Sequence, residues 1–135
     1  NKKMKYLNKK EIYENYRKKY IFSKLNNENL NTYIDSIIVA EDSCIKIKLS
    51  KDWENAIYRT GSMHDSWIWK NIKKINTPTY VITPKNNEFG HFHYGKKLKN
   101  RNKKIINLNI KKVSHLFPLE KPGETSNLIL SNITF

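Results

Sequence analysis

At 135 residues the chain holds one domain's worth of sequence, enough for a modest core and too little for a doubly wound sheet with two full layers of helices. Its single cysteine, Cys44, excludes an internal disulfide and a cysteine-built metal site, and its place beside Ile45 and Ile47 suits a small buried apolar role. The net charge of +14 invites a polyanion partner, yet of 26 basic residues only Arg17, Arg59 and Arg101 are arginine, the side chain whose planar fork reads phosphates and bases.

Taken in order, residues 8–20 place Ile12, Tyr13, Tyr16 and Tyr20 at helical spacing. After a bend at Phe22-Ser23, Asn26 and Asn27 offer an N-cap, and Leu30, Tyr33, Ile34, Ile37 and Ile38 form the clearest amphipathic stripe in the chain. Glu41-Asp42-Ser43 ends that stripe. Ile45, Ile47 and Leu49 alternate with Lys46 and Lys48, which predicts a short half-exposed strand. Ser50 can cap a further helix with Asp52 and Glu54 in its first turn and Trp53, Ala56 and Ile57 on its buried face. Gly61-Ser62 is expected to stop it, and a new helix is expected from His64 to Lys74.

The pattern changes at Thr77-Pro78, which cannot continue a helix. Thr79 to Thr83 is a short β-branched run, as in a buried strand. A loop over 84–90 and a basic helix over about 93–103 lead to a second strand over 105–110, with Ile106, Leu108 and Ile110 on its apolar face. A loop carrying His115 follows, then a helix over about 123–133. Strand, helix, strand, helix with a right-handed crossover is a parallel α/β unit.

Few residues have the spacing of a chemical site. There is no Gly-rich phosphate loop. His91 and His93 could share a strand face, but Glu88 is the one acid beside them, too few ligands for a metal. Trp53, Trp67 and Trp69 read as core or interface aromatics, and His64-Asp65 as a helix's first turn. A lone loop histidine is ordinarily a surface residue. His115 differs in its setting, between a strand and a Pro-opened helix, where a rigid scaffold can present it for proton transfer.

Ile75-Asn76-Thr77-Pro78-Thr79-Tyr80-Val81-Ile82, then a helix and a strand, then Ser114-His115-Leu116-Phe117-Pro118-Leu119-Glu120-Lys121-Pro122-Gly123-Glu124-Thr125, resembles in order and spacing the C-terminal end of an α/β-hydrolase of the esterase and lipase type. The stretch from Ser50 to Tyr58 resembles the region between lid and sheet in such enzymes. The resemblance implies a partial α/β-hydrolase fold of the α/β class. Residues 1–75 would be a mainly helical lid with one short strand, and residues 76–135 the last two parallel strands with flanking helices. It implies that His115 is the catalytic base of a serine triad and that Glu88 is its acid, with Asn87, which falls at the acid's usual place, and a residue outside the chain as the alternatives. Leu116 and Phe117 would wall the site, and Tyr16, Tyr20 and Phe22 are candidates for an acyl pocket.

The nucleophile is missing. No Gly-x-Ser-x-Gly occurs, and Gly61-Ser62 has no strand before it. The expectation is therefore a C-terminal fragment, inactive alone, whose partner is the missing N-terminal half of the fold. Its substrate is a small ester-like molecule, it needs no cofactor, and it is cytoplasmic, since no apolar run approaches a membrane span and the opening Asn1-Lys2-Lys3-Met4-Lys5 is no signal peptide. A small basic module for nucleic acid or another polyanion is the alternative. The abundance of Lys, Asn and Ile fits an AT-rich coding bias and weighs against nucleic acid.

Overall fold

Short polar side chains open the first two helices. The structure, a computed structural model, describes residues 3–85 and 94–132. Helix α1 (Lys9–Arg17) starts where Asn8 Oδ1 accepts the Glu11 amide at 2.9 Å, while the Glu11 carboxylate reaches back to the Leu7 amide at 2.9 Å. Helix α2 (Asn27–Ile37) starts where Asn26 accepts the Asn29 amide at 2.7 Å. Each cap satisfies an amide that the helix leaves without a partner. The apolar spacing then buries Ile12 and Tyr16 on α1 and Leu30 and Ile34 on α2.

Helix α2 ends earlier than its stripe predicts. Ile38 takes extended angles (φ −106°, ψ 157°) and begins strand β2 (Ile38–Glu41), which turns at Asp42-Ser43 into β3 (Cys44–Ile47). The short strand β1 (Lys5–Tyr6) pairs with the other edge of β3, giving an antiparallel sheet in the order β1-β3-β2. Only β3 of these three strands has an alternating pattern in the sequence. Ile37-Ile38-Val39 satisfies helical and strand periods alike, and a two-residue strand has no period to read. Glu41 ties the sheet at one end, 2.9 Å from Lys5 Nζ on β1 and 3.2 Å from Lys46 Nζ on β3. The Lys5 hydrogen bond, then that of Lys46, holds the Glu41 carboxyl down at about 2. Tyr6, Phe22, Leu25 and Ile47 complete a core with the four helical residues.

Ser50 Oγ accepts the Trp53 amide at 3.2 Å and caps α3 (Lys51–Asn71), as its position predicts. The helix then runs unbroken through Gly61, where a break is expected from sequence. An isolated glycine costs a helix only about 1 kcal/mol, which the remaining turns offset. The predicted inner face is instead exposed: Trp53 is 67% exposed, and Ile57 is exposed beside it. Contacts divide the chain into two compact units, Asn1–Met63 and His64–Phe135, with the division inside α3 rather than near residue 75, where the sequence pattern changes.

In the second unit a 3-10 turn (Ile72–Lys74) leads to β4 (Thr79–Pro84). Helix α4 (Tyr94–Arg101) precedes β5 (Ile105–Ile110), which lies parallel to β4 in a register from Thr79 opposite Ile105 to Pro84 opposite Ile110. Asn102 anchors this unit, donating from Nδ2 to the carbonyls of Ile72 at 2.9 Å and Ile75 at 2.8 Å. Gly95 lets α4 lie close on β5, since a Cβ there would stand 2.1 Å from Asn107 Oδ1. Ile105 and Ile110, on opposite faces of β5, are buried and Ile106 is exposed, against the predicted stripe of 106, 108 and 110. Among the described residues, the other edge of β4 carries no strand. The His115 turn leads into the single-turn α5 (Phe117–Glu120) and then α6 (Pro122–Leu130).

Because nothing lies within 4 Å of a Cβ built on Gly61, replacing it with alanine removes the glycine penalty at no steric cost. Gly61→Ala is expected to raise unfolding stability by about 0.5–1 kcal/mol in urea melts. A loss of stability would mean that the helix breaks there after all.

Candidate functional site

The turn that carries His115 is braced from both sides. After β5, Lys112 takes a left-handed conformation (φ 57°), uncommon for a residue with a side chain. That reversal sends Val113 and Ser114 inward, where both are buried. The Ser114 amide donates to Glu120 Oε2 at 2.9 Å and Oε1 at 3.2 Å, and the Ser114 hydroxyl donates to the same carboxylate. Ser114 Oγ accepts the Leu116 amide at 3.1 Å. Leu119 and Glu120 amides both bond the Leu116 carbonyl, at 2.8 and 3.0 Å, closing α5. Next, the Thr125 hydroxyl on α6 reaches the Phe117 carbonyl of α5 at 3.4 Å as well as its own helix's Lys121 carbonyl at 2.9 Å.

His115 stands exposed between these anchors. An imidazole held by its backbone and open to a reactant has the placement that proton transfer requires. Leu116 and Phe117, the predicted walls, flank it half-buried. Glu88 and Asn87, the two candidates for its acid, lie outside the described residues, as do His91 and His93. Sequence reasoning missed Ser114 and Glu120. Their signal was present: a Ser before the histidine, and an acid just before the Pro that opens α6. Its meaning depends on α5 being one turn long, which brings residues six apart together.

A second concavity lies wholly in the Asn1–Met63 unit. It encloses about 550 Å³ and is walled by Tyr6, Tyr16, Phe22, Tyr33 and Tyr58, with Lys3, Lys19 and Glu54 among its polar lining. Tyr16, Phe22 and Tyr33 form a tilted cluster with ring centroids 5.1 to 6.0 Å apart, and Lys19 Nζ sits 4.1 Å over the Tyr16 ring. Two of the three predicted acyl-pocket residues are therefore here. The third, Tyr20, is 64% exposed and does not line it. Burial first, then the neighbouring Tyr33, Tyr6 and Glu54, pushes the Tyr16 phenol up to about 12. Among the described residues no cluster of His, Cys, Asp or Glu is placed to hold a metal ion, and no helix is long and apolar enough to cross a membrane.

The fold has counterparts among solved structures. The peroxisomal alpha-beta-hydrolase Lpx1 from Saccharomyces cerevisiae superposes with a TM-score of 0.72 over 98% of this chain and 38% of its own, at 15% identity. A thioesterase domain from the curacin biosynthetic pathway superposes with a TM-score of 0.62 over 87% of this chain and 42% of its own, also at 15% identity. The fold is that of part of an α/β-hydrolase. At such identity the likeness concerns the fold alone, and the chain spans about two fifths of the length of either structure. No protein-family profile and no curated protein sequence matches it.

Two tests address these sites. Glu120→Ala leaves the buried Ser114 amide and hydroxyl without their acceptor, at a cost of about 1–3 kcal/mol. It should also broaden the His115 ring resonances, whereas Glu124→Ala on the surface of α6 should do neither. Tyr16 has a folded pKa above its unfolded value near 10, so its stabilising contribution is complete below pH 10 and is lost as pH rises towards 12. Urea midpoints between pH 9 and 12 should fall more steeply in the native chain than in Tyr16→Phe.

Proposed function

We propose that this chain is the C-terminal part of a serine α/β-hydrolase acting on a small ester or related acyl compound, with His115 as its general base. The observation that carries the reading is the exposed His115 on a doubly braced turn, just after the second of two parallel strands, in part of an α/β-hydrolase fold. Parallel α/β sheets bind ligands beyond the carboxyl ends of their strands, and His115 follows such an end.

In this mechanism the serine comes from a segment that precedes this one. His115 takes the serine hydroxyl proton as the oxygen attacks the acyl carbon. The tetrahedral intermediate collapses, and His115 returns the proton to the departing alcohol or thiol. A water then enters by the same route and releases the acid. Glu88 is our choice for the group that fixes the imidazole tautomer. Residues 1–75 are the lid segment of this reading, and the aromatic concavity within the Asn1–Met63 unit, walled by Tyr16 and Phe22, is its candidate acyl pocket.

Several features support incompleteness of the chain by itself. The chain spans 38% and 42% of the two hydrolase-fold structures. Among the described residues β4 has an open edge, the position where an earlier strand would pair. Apolar side chains stand in water along α3, with Trp53 67% and Trp67 65% exposed. Large exposed aromatics of this kind mark surfaces that another part of a structure covers.

The test compares this chain with the protein read from its upstream coding sequence, using a short-chain p-nitrophenyl ester. A Gly-x-Ser-x-Gly should stand upstream. The longer protein should turn the ester over, and His115→Ala should cut its kcat by at least about 10³-fold. The chain alone should be inactive. Turnover by the chain alone that His115→Ala abolishes would sink the claim that it is incomplete. Full activity of the His115→Ala longer protein would sink the catalytic role.

A further inference from the structure

The basic residues around α4, which look in sequence like one undivided run, are sorted by the fold into two groups. Lys97 and Arg101 turn to the aromatic side, with Lys97 Nζ 5.9 Å from the Tyr94 ring centroid and the Arg101 guanidinium 5.1 Å from that of Trp69. Lys96 and Lys99 turn the other way, into a cleft of about 580 Å³ between α4 and the carboxyl ends of β4 and β5. Lys85, just after β4, and Lys111, just after β5, meet them there.

The cleft has the chemistry of an anion site. No carboxylate lines it among the described residues. None of its four ammonium groups pairs with a carboxylate among the described residues, although the Lys3, Lys5, Lys9 and Lys46 side chains all do so elsewhere. Its floor is neutral and polar. Thr83 donates its hydroxyl towards Asn107 Oδ1 at 3.1 Å and Asn109 Oδ1 at 3.3 Å, which leaves the amide nitrogens of both asparagines as donors. Four like charges converging on neutral donors repel one another and gain most from a compact, multiply charged oxyanion between them.

We propose that this cleft is an oxyanion site for a phosphate or pyrophosphate group. The lysines supply charge, and Asn107 and Asn109 supply directed hydrogen bonds from the strand floor. The position fits, because the open carboxyl ends of parallel strands are where α/β folds place ligands. Lysine suffices for this task, since a phosphate can be held by point charges without a planar fork. The site is independent of the acyl-transfer reading. Binding is measured without turnover, so its failure leaves that reading untouched, and failure of ester hydrolysis leaves this site untouched.

The experiment titrates the native chain with sodium pyrophosphate in a calorimeter at physiological salt and follows backbone amide shifts in parallel. Saturable one-to-one binding is expected, with shifts centred on Thr83, Asn107 and Asn109. Lys85→Gln with Lys99→Gln should weaken binding by at least about tenfold, and Lys85→Arg with Lys99→Arg should restore most of it. The pair Lys73→Gln with Lys103→Gln, before the amino ends of the two six-residue strands and so at the opposite end of them from the cleft, should change it by less than about twofold, because exposed charges beyond a Debye length of about 8 Å are screened. Phenyl phosphate and inorganic phosphate form two further arms. Tighter phenyl phosphate assigns the site to a phosphate carried on an organic ligand, and tighter inorganic phosphate assigns it to the free ion; either supports the site. Shifts scattered over lysines of both units, equal weakening by the two Gln pairs, or RNA binding without a saturable pyrophosphate site would overturn the proposal.

Discussion

The parallel pairing of β4 with β5 is the constraint on which the chemistry of the second unit depends. Parallel strands require a crossover, and here it contains α4. The register from Thr79–Ile105 to Pro84–Ile110 makes both strands end at one level, so Lys85 and Lys111 leave the sheet side by side and the His115 turn begins from that same end. A slip of one residue would invert the faces of β5 and carry Asn107 away from Gly95 and from Thr83. Two fixed points hold the register. Gly95 admits the Asn107 side chain beneath α4, and Asn102 bonds two carbonyls on the approach to β4.

Elements whose signal is local were legible in the sequence. The capping asparagines and Ser50 satisfy amides within three residues, so their role can be read without knowing the fold. The strands over 79–84 and 105–110 were bounded by Pro, Asn and Lys and lay close to where they were expected. Elements that depend on a partner were not legible. Strand β1 exists because β3 offers it an edge, and β2 exists because β3 folds back on it. The same apolar residues Ile37 to Val39 would have served a longer helix equally well. Gly61 misled for the converse reason: its penalty of about 1 kcal/mol is small against the cooperativity of a helix of 21 residues.

The candidate site divides along the same line. His115 stood out through its neighbours in sequence, and the turn that presents it follows from Pro118 and Pro122, which start α5 and α6. What makes the turn rigid is a contact between Ser114 and Glu120 across one helical turn, and only the fold reveals it. A buried hydroxyl and amide sharing one carboxylate are costly to separate, since either group alone would lose its acceptor away from water. The loop therefore resists the fraying usual at the end of a strand. That resistance is what a proton-transfer group needs, because hydrogen-bond reach leaves little tolerance in position.

The charge of the chain reads differently once its placement is known. Spread along the sequence, the lysines are the residue of a coding bias and specify nothing. Folded, many of them are absorbed: Lys5 and Lys46 hold Glu41, Lys9 pairs with Asp35, and Lys104 bonds the Asn76 carbonyl at 2.8 Å. Those contacts are exposed and individually weak, so they mainly offset like-charge repulsion. Lys85, Lys96, Lys99 and Lys111 are the exception, because the crossover brings them together with no acid beside them among the described residues. Concentrating like charge at a cleft destabilises the fold unless something is gained from it. Around neutral asparagine donors at the end of a parallel sheet, that gain is the binding of an anion.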